Sequence, residues 1–158
     1  MTKQNAPHIS VLLREVLDIL SPKDGGVYVD GTFGAGGYSR AILESADCKV
    51  FGIDRDPLAI SIGQEMAKEF GGRLLMIEGC YADMVQLLAD QGIDMVDGIA
   101  LDIGVSSMQI DEAERGFSFM REGPLDMRMS GKGRTAAEVV NEESEAELAR
   151  IIFVYGEE

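Results

Sequence analysis

Three acids and a run of glycines carry the chemistry this chain can be expected to do. Asp30 follows the apolar triplet Val27, Tyr28 and Val29, and Gly31, Gly34, Gly36 and Gly37 crowd the seven residues after it. Asp54 closes the next apolar run, residues 50–53, and Asp102 closes a later one that begins near Met95. Glycines after a strand let the backbone turn sharply and let a ligand approach the main chain without meeting a Cβ. An acid at the end of the following strand suits the two hydroxyls of a ribose. Together these residues describe a site for a nucleoside cofactor.

The spacing narrows the choice of cofactor. A dinucleotide fingerprint needs G-x-G-x-x-G, and counting from Gly34 and Gly36 the third position falls on Ser39. A P-loop needs a lysine after its last glycine, and Gly37 is followed by Tyr38. The remaining order, Asp30 and then Gly34 and Gly36, resembles the first motif of S-adenosylmethionine-dependent methyltransferases. Their ligand carries no phosphate but has a cationic amino-acid end, whose ammonium and neighbouring sulfonium suit an acid. The plainer alternative is a tight turn in some other α/β protein. A nicotinamide-dependent oxidoreductase is disfavoured by the missing third glycine.

The elements that must position these residues follow from periodicity. A helix is expected over residues 11–20, packed across the sheet, and the loop after Asp30 hands over to a helix over residues 38–46. Asp56 and Pro57 open a helix over residues 57–70. A strand over residues 73–77, a helix over 82–91 and a strand over 95–103, interrupted by Gly98, complete the order. Alternation of this kind implies a parallel sheet covered by helices on both faces. Ligands of such sheets bind beyond the carboxyl ends of the strands, where Asp30, Asp54, Tyr81 and Asp102 fall. The ring of Tyr81 could lie against an adenine, or be a half-buried packing residue.

Length and composition set the outer bounds. A chain of 158 residues with 46% apolar content allows one domain and a core. The formal charge of −14 argues against a basic nucleic-acid-binding domain, so any such partner must be met by a local patch or by parts outside these residues. That patch is Arg115, Arg121, Arg128, Lys132 and Arg134, in a stretch too long and aperiodic for an ordinary connection. Phe117, Phe119, Met120, Met127 and Met129 are interleaved with it. Arg115, Arg121 and Arg128 could hold the phosphates of a single strand while Phe117 stacks on a base. Alternatively the loop folds back around its Phe and Met residues. Thr135 with Glu138 and Ser144 with Glu147 are capping boxes, predicting helices over 136–141 and 145–155. Cys48, Cys80 and His8 are too scattered for a metal site, and no disulfide is required. Residues 1–10 read as a flexible lead in which His8 is a surface or capping residue. With neither a signal pattern nor a long apolar segment, a soluble, cytoplasmic protein without membrane contact is expected. The oligomeric state stays open, a homodimer included.

Four segments, VDGTFGAGGYSRAIL, FGIDRDPLAI, LDIGVSSMQID and above all ERGFSFMREGPLDMRM, resemble the RsmH (MraW) family of 16S rRNA cytosine-N4-methyltransferases. The likeness runs from His8 to the last residues. It implies a Rossmann-like class I methyltransferase fold, S-adenosylmethionine as donor, and a cytosine in the decoding region of 16S rRNA, alone or in the small subunit, as target. By position it implies cofactor contacts at Gly36, Gly37, Tyr38, Asp54, Tyr81, Asp102 and Gln109. Tyr38 stands where many members have histidine and Tyr81 where many have phenylalanine, so both keep a ring. Members of the family continue well past Glu158. On that basis residues 1–110 read as the first part of a cofactor-binding domain and 111–158 as the start of an inserted helical substrate domain. The fourth strand is then an open edge. The chain alone could equally be a cofactor- or RNA-binding module without activity of its own.

The reaction so implied sets demands on the residues. A cytosine amino group is a poor nucleophile, because its lone pair is delocalised into the ring. Catalysis must hold that nitrogen in line with the methyl and accept a hydrogen bond from its N–H. Asp102 is the acceptor expected to do this, with Ser106 and Ser107 contacting the base. The target has to be unpaired or flipped out of its stack. The Ser/Asp/Asn-Pro-Pro-aromatic segment of DNA amino-methyltransferases is absent, which disfavours DNA.

Overall fold

A computed structural model describes residues 10–156, so His8 and the rest of the N-terminal lead lie outside the described residues. The chain divides into two compact units, one ending at Gly104 and the other starting at Val105.

The first unit is built on four parallel strands, β1 (Val27–Asp30), β2 (Lys49–Asp54), β3 (Leu74–Glu78) and β4 (Gly98–Ala100), in the spatial order β3-β2-β1-β4. Helix α1 (Leu13–Leu20) leads in; parallel strands need a crossover between them, and three helices supply it, α2 (Gly37–Ser45), α3 (Pro57–Glu69) and α4 (Met84–Ala89). The apolar runs of β1 and β2 do not alternate with polar residues, because both faces are covered. Val29, Phe51 and Ile53 form one buried layer with Leu88 of α4. Tyr28 and Val50, one residue out of phase, are buried on the opposite face, towards α2 and α3. Gly63 of α3 rides directly over the thioether of Met76, where any Cβ would collide.

Three expectations change. The helix expected over 82–91 is a 3₁₀ turn, Tyr81–Asp83, followed by the shorter α4. The fourth strand spans three residues rather than 95–103. Its pairing stops at one end where Asp97 takes both polar groups of Val27, and at the other where β1 gives way to the glycine loop and Asp102 turns to Thr32. Among the described residues no strand pairs with its far side, so β4 is an open edge on which Ile99 is exposed, as are Leu101 and Ile103 beyond it. Finally, α1 does not lie across the sheet: it touches α2 and β4 and buries none of its residues completely.

The second unit holds α5 (Ser107–Asp111), a 3₁₀ turn (Ala113–Arg115), an irregular loop, α6 (Ala136–Glu142) and α7 (Glu145–Gly156). The loop is ordered by backbone bonds rather than by periodicity. Met127 N–H donates to the Arg115 carbonyl at 3.0 Å, and Ala136 and Ala137 donate to the carbonyls of Asp126 and Leu125 at 2.8 and 2.9 Å. Gly116 makes the reversal at φ 73°, where a side chain would strike the Pro124 carbonyl. Both halves of the Thr135–Glu138 capping box form, and Ser144 accepts the Glu147 N–H at 3.2 Å. Ile152, Phe153 and Tyr155 of α7 are exposed.

Candidate functional site

The glycine loop leaves β1 and is tied alternately to the strands on either side. Gly31 N–H donates to the Ala100 carbonyl at 3.0 Å, and the Asp102 N–H reaches the Thr32 hydroxyl at 2.7 Å. On the other side Phe33 N–H donates to the Ile53 carbonyl at 3.1 Å, and Gly34 N–H to Oδ2 of Asp54 at 2.8 Å. The loop is thereby held between Asp54 and Asp102, the acids at the ends of its two neighbours. Gly34 and Gly36 both have left-handed φ, +53° and +80°, but for different ends. A Cβ on Gly36 would come within 2.6 Å of Met66 and Phe33, so that glycine serves packing. One on Gly34 would meet nothing closer than the Thr32 carbonyl at 3.9 Å, so the backbone there is open to an approaching ligand. Thr32 was not singled out from the sequence; its place between two glycines was the only signal.

Asp30 is completely buried. Its Oδ2 accepts both the N–H of Ser39, at 3.2 Å, and the Ser39 hydroxyl, at 2.8 Å. Helix α2 starts on Gly36, which has no side chain to cap it, so the carboxylate supplies that bond from the neighbouring strand. Among the described residues Oδ1 has no hydrogen-bond partner. Burial pushes this carboxyl up to about 6, against the opposing effect of Ser39. Fully enclosed, Asp30 offers a ligand its charge rather than a contact.

Asp54 accepts the Asp56 N–H on Oδ1 at 2.9 Å as well as Gly34 on Oδ2, and each oxygen keeps a second lone pair for a hydroxyl. Asp56 in turn caps α3 through Leu58 N–H at 3.0 Å. Tyr38, in the first turn of α2, is buried and donates its hydroxyl proton to the Val11 carbonyl at 2.6 Å. The same oxygen lies 3.4 Å from Oδ2 of Asp102. Burial raises the phenol, and the nearby Asp102 charge adds to this. Tyr81 opens the 3₁₀ turn after β3, half-buried and beside Gly31. A mostly apolar recess of about 310 Å³ opens between α1 and β4, with Tyr38 and Asp102 in its wall.

The remaining expected residues belong to the second unit. Ser106 and Gln109 close a capping box on α5, Ser106 Oγ accepting the Gln109 N–H at 3.2 Å and Gln109 Oε1 the Ser106 N–H at 3.0 Å. The S-x-x-Q pattern announces this box as clearly as the two that were read from the sequence. Ser107 is the first residue of α5. Arg115 lies 5.9 Å over the ring of Phe117, Arg121 binds Asp111, and Arg128 forks onto Asp126. Such pairs compete with any phosphate for the guanidinium.

The donor set has a clear preference. Carboxylates at Asp30, Asp54 and Asp102 around open backbone amides repel a pyrophosphate, but favour a ligand that joins a cation to a diol. Among the described residues no group of His, Cys, Asp or Glu is placed to hold a metal ion, and no helix is long and apolar enough to cross a membrane.

Known proteins agree with this geometry. A protein of Parvibaculum lavamentivorans named ribosomal RNA small subunit methyltransferase H is 66% identical over 97% of this chain and 45% of its own length. The protein of that name from Maricaulis maris is 61% identical, over 97% of this chain and 46% of its own length. The chain thus spans about half the length of the curated relatives it matches. The C-terminal domain of precorrin-6Y C5,15-methyltransferase from Rhodobacter capsulatus shares the fold at a TM-score of 0.50, with 16% identity over 66% of this chain and 55% of that one. A family profile described as the MraW methylase family matches residues 5–158, and to that family the chain belongs.

Proposed function

We propose that this protein uses S-adenosylmethionine to methylate the exocyclic N4 of a cytosine in the decoding region of 16S rRNA. The observation that carries the cofactor half is the glycine loop held between Asp54 and Asp102. The relatives' names support small-subunit rRNA as the substrate. The choice of N4 rests on the resemblance of the segments around Asp102 and residues 114–129.

In this reading Asp54 accepts the ribose hydroxyls, the Gly34 to Gly37 backbone lies along the amino-acid end, and Tyr81 lies against the adenine. Gln109 adds a contact from α5. The buried Asp30 carboxylate beneath the loop favours a cationic donor through its charge. The cofactor supplies an electrophilic methyl on a sulfonium. Asp102 accepts a hydrogen bond from the cytosine amino group, so that its lone pair would localise as the N–C bond forms and the methyl–sulfur bond breaks, leaving a neutral thioether, and the carboxylate would take the amino proton and pass it to water. The bond from the Asp102 N–H to Thr32 fixes its backbone, so the carboxylate is presented beside the loop that holds the donor. Ser106 and Ser107 orient the base.

Calorimetric titration of the chain with S-adenosylmethionine tests the first half, with micromolar binding expected. A folded chain that binds none would refute it. For the second half, the protein at the full length of its relatives should transfer labelled methyl to small-subunit particles, and Asp102→Ala should lower turnover by roughly a hundredfold or more. Near-normal turnover in that variant would remove Asp102 from the reaction.

A further inference from the structure

We propose that Phe119, at the tip of the loop between the Ala113–Arg115 turn and α6, is the platform on which an unpaired RNA base stacks, and that the arginines around it shape the loop. The inference rests on the methyltransferase reading for the class of its partner.

The loop contains two phenylalanines in different circumstances. Phe117 is half-buried, with the guanidinium of Arg115 over its ring, and that guanidinium also donates to the Met129 carbonyl at 2.9 Å. Phe119 is 96% exposed and Met120 beside it 79%. An exposed benzyl group forgoes the gain of burial, so a fold that holds one out on an ordered loop leaves its faces for something else. The cations otherwise expected to bind phosphate are engaged within the loop and reinforce its backbone bonds. Arg128 grips Asp126 at 2.6 Å and the Gly133 carbonyl at 3.2 Å, Arg121 holds the Asp111 carboxylate and carbonyl, and Arg134 bonds to Glu142 at 3.3 Å. A base can stack on a ring without displacing any of these.

Charge does not oppose a polyanion at this place. From Gly104 to Arg134 the acids Asp111, Glu112, Glu114, Glu122 and Asp126 are matched by Arg115, Arg121, Arg128, Lys132 and Arg134. The whole formal charge of −14 therefore resides elsewhere. A neutral segment with an exposed aromatic ring spares a single strand the repulsion of a strongly acidic surface and lets it gain stacking.

The chain has no tryptophan, so Phe119→Trp places one reporter at the tip. Titration with a short single-stranded oligoribonucleotide should quench its emission, and an abasic strand of equal length should not. In anisotropy with labelled RNA, Phe119→Ala and Phe119→Leu should each weaken binding about tenfold while Phe119→Tyr keeps it. Equal quenching by the abasic strand, or wild-type binding by the Ala or Leu variant, would overturn the proposal and leave the tip as a protein contact. Each variant is also titrated with S-adenosylmethionine, which should bind unchanged. Loss of cofactor binding throughout would count against the cofactor reading and not against the stacking.

Discussion

Asp30 and Asp126 show how differently the two units employ one side chain. Asp30 is completely buried at the end of β1, one oxygen on Ser39 and the other without a partner. Asp126 sits at the surface of the 116–134 loop with both oxygens on Arg128. Burial pushes the first carboxyl up to about 6, and the Arg128 hydrogen bonds bring the second down to about 2. The sheet unit has a large apolar interior, which can carry the strain of a buried acid. Among the described residues of the second unit only Gln109 is buried, so order there comes from ion pairs, caps and turn backbone. A site that must be rigid is placed on the first; a surface that must meet a large partner suits the second.

Asp54→Ala should give the largest effect on the sheet side. It removes the acceptor of two backbone amides together with the proposed ribose contact. Affinity for S-adenosylmethionine should fall by about a hundredfold in calorimetry. The loop unit, followed by hydrogen exchange of α6 and α7, should not respond, and a response there would break the separation.

The two acids should give pH slopes of opposite sign. For Asp30 the folded state holds its proton up to about 6 whereas the unfolded chain releases it near 3.8, so its contribution to stability falls as pH rises between those values. Asp30→Asn should abolish that slope and stabilise the sheet unit above pH 6 by about 1–3 kcal/mol, seen in exchange of β1 and β2 amides. Asp126, held down to about 2, contributes above its ordinary value and loses that contribution as pH falls from about 4 to 2. Arg128→Ala should remove this acid sensitivity and speed proteolysis within the loop, with cofactor binding unchanged. The smallest effect belongs to Thr135→Ala, which removes one cap of α6 and should cost about 1 kcal/mol in denaturant titration.

Sequence periodicity alone determined the alternation of strands and helices and hence the parallel sheet, since parallel neighbours require a crossover. Glycine spacing excluded a dinucleotide, and the segments around Asp102 and residues 114–129 carried the family. The extents of α2, α3, β3, α6 and α7 were legible to within about two residues, because each has a cap, a proline or a glycine at its end. The short β4, the burial of Asp30, the work of Thr32 and the arginine pairs were not. Each depends on a partner far away in the chain, and partners are assigned by strand order. With β1 between β2 and β4, the glycine loop finds Asp54 on one side and Asp102 on the other. Local patterns specify that there are strands, but only the packing of helices on both faces selects which strand lies beside which.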